Sequence, residues 1–304
     1  MDRLTGLIAA THTPMRTDGS IDLERVADQA RHLVRTGVRG AFVGGTTGES
    51  LSLTVDEREA LAARWAHVAR GTPLAVIVHV GHNALADSRR LAAHAQELGV
   101  VAIAAMAPCF FRPRTVAELT EHLAAVASAA PETPFYYYDI PALTGVALPM
   151  PELLAAADRI PTFAGIKYTN SDLAMLQECL AFGDGAFDIL FGTDEALLAG
   201  LALGTRGAVG STYNFAAPIY HRILAAFEAG DFETARAWQR RSVALVRVIA
   251  AYGYAAAAKS VMALIGVDCG AARLPLAALD ERQVAALRRD LEALGFFEWI
   301  RVDA

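Results

Sequence analysis

The sequence predicts a (β/α)8 barrel of the TIM type with a C-terminal helical extension. Three observations carry that expectation. Short apolar runs of strand type recur eight times within about the first 215 residues. Amphipathic stretches lie between them, and after Pro218 the strand signal stops and only helical patterns remain. Near-continuous apolar runs are the mark of parallel strands covered on both faces. Eight similarly spaced strand–helix units favour closure into a barrel over a doubly wound open sheet.

In chain order, strands are expected at 7–10, 40–44, 74–80, 100–105, 135–139, 163–168, 187–192 and 207–211. The helix at 55–70 is entered through a capping box, with Thr54 as cap and Glu57 reaching back to it. The helix at 84–98 stops at Gly99, which accepts the left-handed backbone past a helix end. Further helices fall at 118–130, 151–158 and 172–182, and beyond the last strand at 220–229, 232–251, 255–265 and 281–294. The expected division is a barrel over 1–217 that carries the active site, with a helical region over 218–304 packed on it.

Composition excludes several functions. The chain has 304 residues, 54% of them hydrophobic and 20% charged, which suits a large buried core and not a disordered protein. Its net charge is -6 and it has no long basic run, so nucleic acid and anionic membranes are not expected partners. No uninterrupted apolar stretch is long enough to span a bilayer. The first residues lack a full signal-peptide pattern. Cys109, Cys179 and Cys269 are too scattered for a disulfide framework or a C-x-x-C zinc site. A soluble, cytoplasmic protein is the expectation.

Of the 27 basic residues only two are lysines, Lys167 and Lys259. Barrel enzymes place reactive groups at the C-terminal ends of their strands, and Lys167 ends the sixth. The same ends carry Gly44-Gly45-Thr46-Thr47-Gly48-Glu49, Tyr136-Tyr137-Tyr138-Asp139, Lys167-Tyr168-Thr169, Thr193-Asp194-Glu195 and Ser211-Thr212. Lys167 follows an apolar run, and burial there would lower its pKa. A neutral amine can attack a ketone or aldehyde and form an iminium that withdraws electrons from the adjacent bond. The other reading is a strand-end lysine paired with a carboxylate. Tyr138 is the natural proton shuttle beside such an iminium, although most aromatic strand residues are core. Alternation puts Tyr136 and Tyr138 on one face and Tyr137 on the other.

The glycine-rich turn offers backbone N–H groups and two hydroxyls, a nest for a carboxylate or phosphate, and is also an ordinary tight turn. Asp194 and Glu195 could bind sugar hydroxyls; taken alone, capping of the following helix is the simpler role. His79 and His82 have loose metal-ligand spacing without a third ligand, so they are read as structural and no metal is expected. Lys259 follows four alanines and is read as solvated or ion-paired.

Together these residues resemble the pyruvate-dependent class I aldolases, the dihydrodipicolinate synthase/N-acetylneuraminate lyase family, over nearly the whole chain. The resemblance rests on the 44–49 turn, Tyr138-Asp139-Ile140-Pro141, Gly165-Ile166-Lys167-Tyr168-Thr169, and the 204–211 stretch Gly-Thr-Arg-Gly-Ala-Val-Gly-Ser, all in order. The lyase branch fits best. Leu143 stands where the synthases typically carry an arginine, and the segments at Gly192-Thr193-Asp194-Glu195 and Ser211 are similar to those that hold a sugar's glycerol tail. Phe110 and Phe111 replace the synthases' tyrosine pair, and Asp139 replaces a common asparagine.

The resemblance implies a homotetramer, a small 2-keto sugar acid and pyruvate as ligands, and no cofactor beyond a Schiff base on Lys167. It implies reversible cleavage of N-acetylneuraminate to pyruvate and N-acetylmannosamine. Lys167 and Tyr138 would be catalytic. Gly45, Thr46 and Thr47 would hold the carboxylate, with Thr169, Gly192, Asp194, Glu195 and Ser211 along the rest of the substrate. The alternatives are an aldolase or dehydratase for another 2-keto-3-deoxy sugar acid, a dihydrodipicolinate synthase, and a non-catalytic keto-acid binding protein.

Overall fold

Alternation along each strand sorts the apolar residues into two cores. Ile8, Ala10, Phe42, Ile77, Tyr136, Tyr138, Leu190 and Val209 pack together inside one ring. Leu7, Ala9, Ala41, Val43, Tyr137, Ile189, Phe191 and Ala208 face outward, under the helices. A period of two with both faces apolar is what a parallel strand needs when it is covered on each side. A computed structural model describes residues 3–160 and 162–301; the ends of the expected ranges, 1–2 and 302–304, lie outside the described residues.

All eight expected strands are present; those at 135–139 and 163–168 match at both ends, and the other six have ends shifted by a residue or two. They are β1 (Gly6–Ala10), β2 (Gly40–Val43), β3 (Ala75–His79), β4 (Ala102–Met106), β5 (Phe135–Asp139), β6 (Phe163–Tyr168), β7 (Asp188–Phe191) and β8 (Gly207–Gly210). Each pairs in parallel with the next, and β8 pairs with β1, so the sheet closes as a barrel. A register shift beside Phe135 pairs Tyr136 with Gly165 and hence Tyr138 with Lys167. That shift sets Tyr138 and Lys167 side by side on adjacent strands, facing the same interior.

Helices alternate with the strands: α1 (Val26–Arg35), α2 (Val55–Ala69), α3 (Leu85–Glu97), α4 (Val116–Ala127), the short α5 (Pro141–Thr144) and α6 (Met150–Ala155), α7 (Leu173–Ala181) and α8 (Leu197–Leu203). The Thr54–Glu57 capping box on α2 is formed in both directions, at 3.2 and 2.8 Å. Its loss in Thr54→Ala is expected to lower stability by about 1 kcal/mol, read from the denaturant midpoint.

After β8 comes α9 (Tyr213–Glu228), which packs on β1 and α8 and completes the eighth strand–helix unit, followed by α10 (Phe232–Ala251), α11 (Tyr254–Leu264), α12 (Glu281–Leu294) and α13 (Phe296–Trp299). Helix α9 begins well before the expected start at 220. Pro218 lies inside α9, and the backbone departs from helical geometry at Ala216, which lets the helix continue past a residue without an N–H. α10 reaches back to the barrel: Gln239 Nε2 donates to Asp194 O at 3.2 Å, and Gln239 Oε1 accepts from Leu198 N at 2.8 Å.

Candidate active site

At the C-terminal end of the strands the ring opens into a cavity of about 490 Å³. Thr46, Thr47, Tyr138, Lys167, Thr169, Gly192, Asp194, Glu195 and Ser211 all line it. Gly45 is not among the lining residues: it is buried, and its carbonyl accepts from Ser50 N at 3.2 Å.

The amine of Lys167 is placed by aromatic rings. Its side chain is buried, and Nζ stands over the face of Tyr138, 3.4 Å from the ring centre, and 4.7 Å from that of Phe42. Burial lowers its pKa below the ordinary lysine value, while Tyr138 and the charge of Asp194 act in the opposite direction. The Tyr138 ring is itself wedged edge-on between Phe42 at 5.6 Å and His79 at 5.9 Å, leaving its hydroxyl 3.3 Å from Thr46 Oγ1.

His79 is a prop for this arrangement. Its Nε2 accepts from Met106 N at 3.4 Å, so the proton belongs on Nδ1, which donates to Gly44 O at 3.0 Å. Burial and the neighbouring cations Arg58 and Lys167 hold the ring far below the usual histidine pKa. It therefore stays neutral, and with both nitrogens engaged it has no lone pair to offer a metal. His82 accepts from Ala84 N and faces Asp87 at 3.5 Å. Among the described residues no group of three or more His, Cys, Asp or Glu side chains could hold a metal ion.

The opposite wall is polar. Asp194 does not cap its own helical turn. Its carboxylate accepts from Thr212 N at 2.9 Å and Thr212 Oγ1 at 2.5 Å, which ties the loop after β7 to the start of α9. Burial raises its pKa to about 6, against the pull of those two bonds. Glu195 beside it is exposed to the cavity mouth. Thr169 Oγ1 is buried without a partner, and Gly192 is needed opposite it because a Cβ there would overlap that hydroxyl.

Several lining residues escaped the sequence reading. His12 sits past the end of β1. Val246, Ala250, Tyr254 and Ala255 come from α10 and α11, and Tyr254 OH shares a hydrogen bond of 2.7 Å with Ser211 Oγ. Lys259, read as solvated or ion-paired, is ion-paired and buried, 2.7 Å from Glu49.

Asp139 faces away from the cavity. One oxygen accepts from Asn170 Nδ2 at 3.0 Å, the other has no partner, and burial pushes the carboxyl up to about 6 from its usual 3.8. Between those values the folded protein holds the proton more tightly than the unfolded chain, so this residue's contribution to stability falls as pH rises from about 4 through about 6. Asp139→Asn cannot ionise. Its stability relative to wild type is expected to rise by about 2 kcal/mol between pH 4.5 and pH 8, read from denaturant midpoints at those two values. A constant difference would show that Asp139 titrates normally.

The chain also has close relatives. N-acetylneuraminate lyase of Gallus gallus is 42% identical over 297 residues, 96% of each sequence. The solved N-acetylneuraminate lyase of Proteus mirabilis superposes with a TM-score of 0.94 at 41% identity, covering 97% of this chain and 100% of that one. The lyase of Aliivibrio salmonicida gives the same score and identity, covering 98% of its own chain. The model of the dihydrodipicolinate synthetase family matches residues 3–294. With a closed eight-stranded barrel, a buried lysine on β6 and these relatives in agreement, the chain belongs to the dihydrodipicolinate synthetase family.

Proposed function

We propose that this chain is a Schiff-base aldolase that cleaves N-acetylneuraminate reversibly to pyruvate and N-acetylmannosamine. Family membership makes it an enzyme of the carbon–carbon lyase class, and the relatives named above are N-acetylneuraminate lyases. The observation that carries the mechanism is the desolvated amine of Lys167 over Tyr138, with the Tyr138 hydroxyl 3.3 Å from Thr46.

Lys167 attacks the C2 ketone of the open-chain sugar acid, and loss of water leaves an iminium. The Gly45-Thr46-Thr47 turn holds the substrate carboxylate through hydroxyls and backbone N–H groups. Tyr138 takes the proton of the C4 hydroxyl, the C3–C4 bond breaks, and its electrons pass into the iminium. The aldehyde leaves, and the remaining enamine is protonated and hydrolysed to pyruvate. The covalent nitrogen supplies the electron sink, so no separate cofactor takes part. Thr169 stands near C4, with Gly192, Asp194, Glu195 and Ser211 along the polyol.

Borohydride reduction followed by peptide mass spectrometry tests this reading. A pyruvate-derived adduct on Lys167 from both pyruvate and N-acetylneuraminate is expected. An adduct from pyruvate alone would move the substrate to another sugar acid; none from either would end the aldolase reading. Gly192→Ala pushes on the Thr169 hydroxyl. It should raise KM for the sugar acid by roughly 10-fold or more while leaving pyruvate trapping near wild type.

The assembly is read as a homotetramer in the cytoplasm. Phe110 and Phe111, 76% and 86% exposed and packed edge to face at 4.9 Å, form an apolar edge that a second copy would cover. Light scattering checks the assembly, and a monomer would refute it. The cytoplasmic assignment is supported by three free cysteines. Among the described residues no helix is long and apolar enough to cross a membrane.

A further inference from the structure

Glu49 ends the glycine-rich turn in an unfavourable state on two counts. Its φ is +59°, a left-handed backbone that is unfavourable for a residue with a Cβ. Its carboxylate is also buried, facing Lys259 Nζ at 2.7 Å, with the two side chains 4% and 2% exposed. Glu49 Oε1 has no donor in line with it, so the contact with Lys259 is chiefly charge against charge. Taking two such ions out of water is costly, and apolar groups of similar size often hold a fold as well or better. An arrangement of this kind persists where its surroundings fix it, and such places cluster at functional sites.

The surroundings fix it from the far end of the chain. Glu49 Oε2 accepts from Arg273 N at 2.8 Å, and Lys259 Nζ donates to Ala271 O at 2.9 Å. The Arg273 guanidinium grips both oxygens of Glu57 at 2.7 and 2.8 Å and donates to Gly19 O and Ser52 O, each at 2.6 Å. The stretch 271–273 is thereby stapled over the turn.

The force of the staple reaches the substrate side through the backbone. Glu49 N donates to Thr46 O at 3.0 Å, and Thr46 carries the hydroxyl beside Tyr138. His12 lines the cavity beside Thr47. Burial and the charge of Lys259 push its pKa down to about 3, so it presents a neutral ring and adds no competing charge there.

We propose that the Glu49–Lys259 pair is a positioning device for the carboxylate-binding turn, holding Thr46 and Thr47 in the orientation that receives the substrate carboxylate without touching the substrate. The proposal rests on the pyruvate reading of the site. It assigns a use to the chain's second lysine and explains why α11 and the segment after it are joined to the barrel mouth by charge.

The test compares reductive trapping of Lys167 by pyruvate with trapping by acetone, which offers the same ketone without a carboxylate. In Lys259→Met and Glu49→Gln, trapping by pyruvate is expected to slow by roughly 10- to 100-fold while trapping by acetone stays within about twofold of wild type. A Glu49→Leu/Lys259→Met double variant removes both buried charges. It should recover thermal stability relative to the single variants and still trap pyruvate slowly. Equal slowing with both ketones, or pyruvate trapping restored in the double variant, would overturn the proposal and leave the pair a structural contact. Wild-type protein that traps acetone but not pyruvate would remove the pyruvate reading itself, and the proposal with it.

Discussion

Lys167→Ala should abolish turnover while leaving the fold intact. Without the amine there is no iminium and therefore no sink for the electrons of the breaking bond. What remains, the Thr46 and Thr47 hydroxyls and the polar wall, would on the proposed reading still bind substrate but could not pass the chemistry through a covalent intermediate. The physical setting argues against a folding defect. Lys167 is 4% exposed and stands over aromatic rings, where its ammonium form is disfavoured. Removing it relieves a desolvated charge, so the melting temperature is expected to hold or rise.

One compensating change should be visible. The charge of Lys167 helps to hold the Asp194 carboxyl down, so in the alanine variant Asp194 should titrate higher than about 6. Lys167→Arg separates charge from nucleophilicity: arginine keeps the cation but does not form an imine, and it should be as inactive as alanine. Pyruvate release from N-acetylneuraminate and borohydride trapping read both variants. Turnover at the wild-type rate in either would end the Schiff-base mechanism.

Much of this site is legible in the sequence because barrel geometry turns chain order into spatial order. Once the strands are located, the rule that their C-terminal ends share one mouth brings Thr46, Tyr138, Lys167, Asp194 and Ser211 together, although they are spread over most of the barrel sequence. Alternation alone separates Tyr138 from Tyr137, and the two fall in different cores. The capping box at Thr54 is likewise a local signal read from residues three apart.

What could not be read depends on contacts with no local trace. Tyr254 reaches Ser211 only because α10 and α11 fold back over the mouth. Lys259 finds Glu49 across most of the chain, and nothing in a run of alanines announces a buried ion pair. His12 lies just past a strand end with no periodicity to mark its direction. The start of α9 was hidden by Pro218, a residue that signals a break and is accommodated here by a kink at Ala216.

Tyr138→Phe is the sharper probe of the chemistry, because it removes one oxygen and leaves the architecture in place. The ring packs on Phe42 and His79 and carries the Lys167 amine on its face; phenylalanine can do all of this. Iminium formation with pyruvate should therefore survive, and the trapped adduct should appear at nearly the wild-type level. On the proposed mechanism the missing step is proton removal from the C4 hydroxyl. A positioned acid–base group contributes about 10² to 10⁴ in rate, so kcat for sugar cleavage should fall by that factor with little change in KM. Tyr138→Ala is the control for packing. It takes away the ring that seats the amine, should cost about 3–5 kcal/mol in stability as other large aromatic deletions do, and should lose trapping as well as turnover. If Tyr138→Phe instead raised KM and left kcat untouched, the hydroxyl would belong to binding, in company with Thr46 at 3.3 Å, and the proton would have to leave through another group in the cavity, of which Thr169, with its unpartnered hydroxyl, is the first to examine.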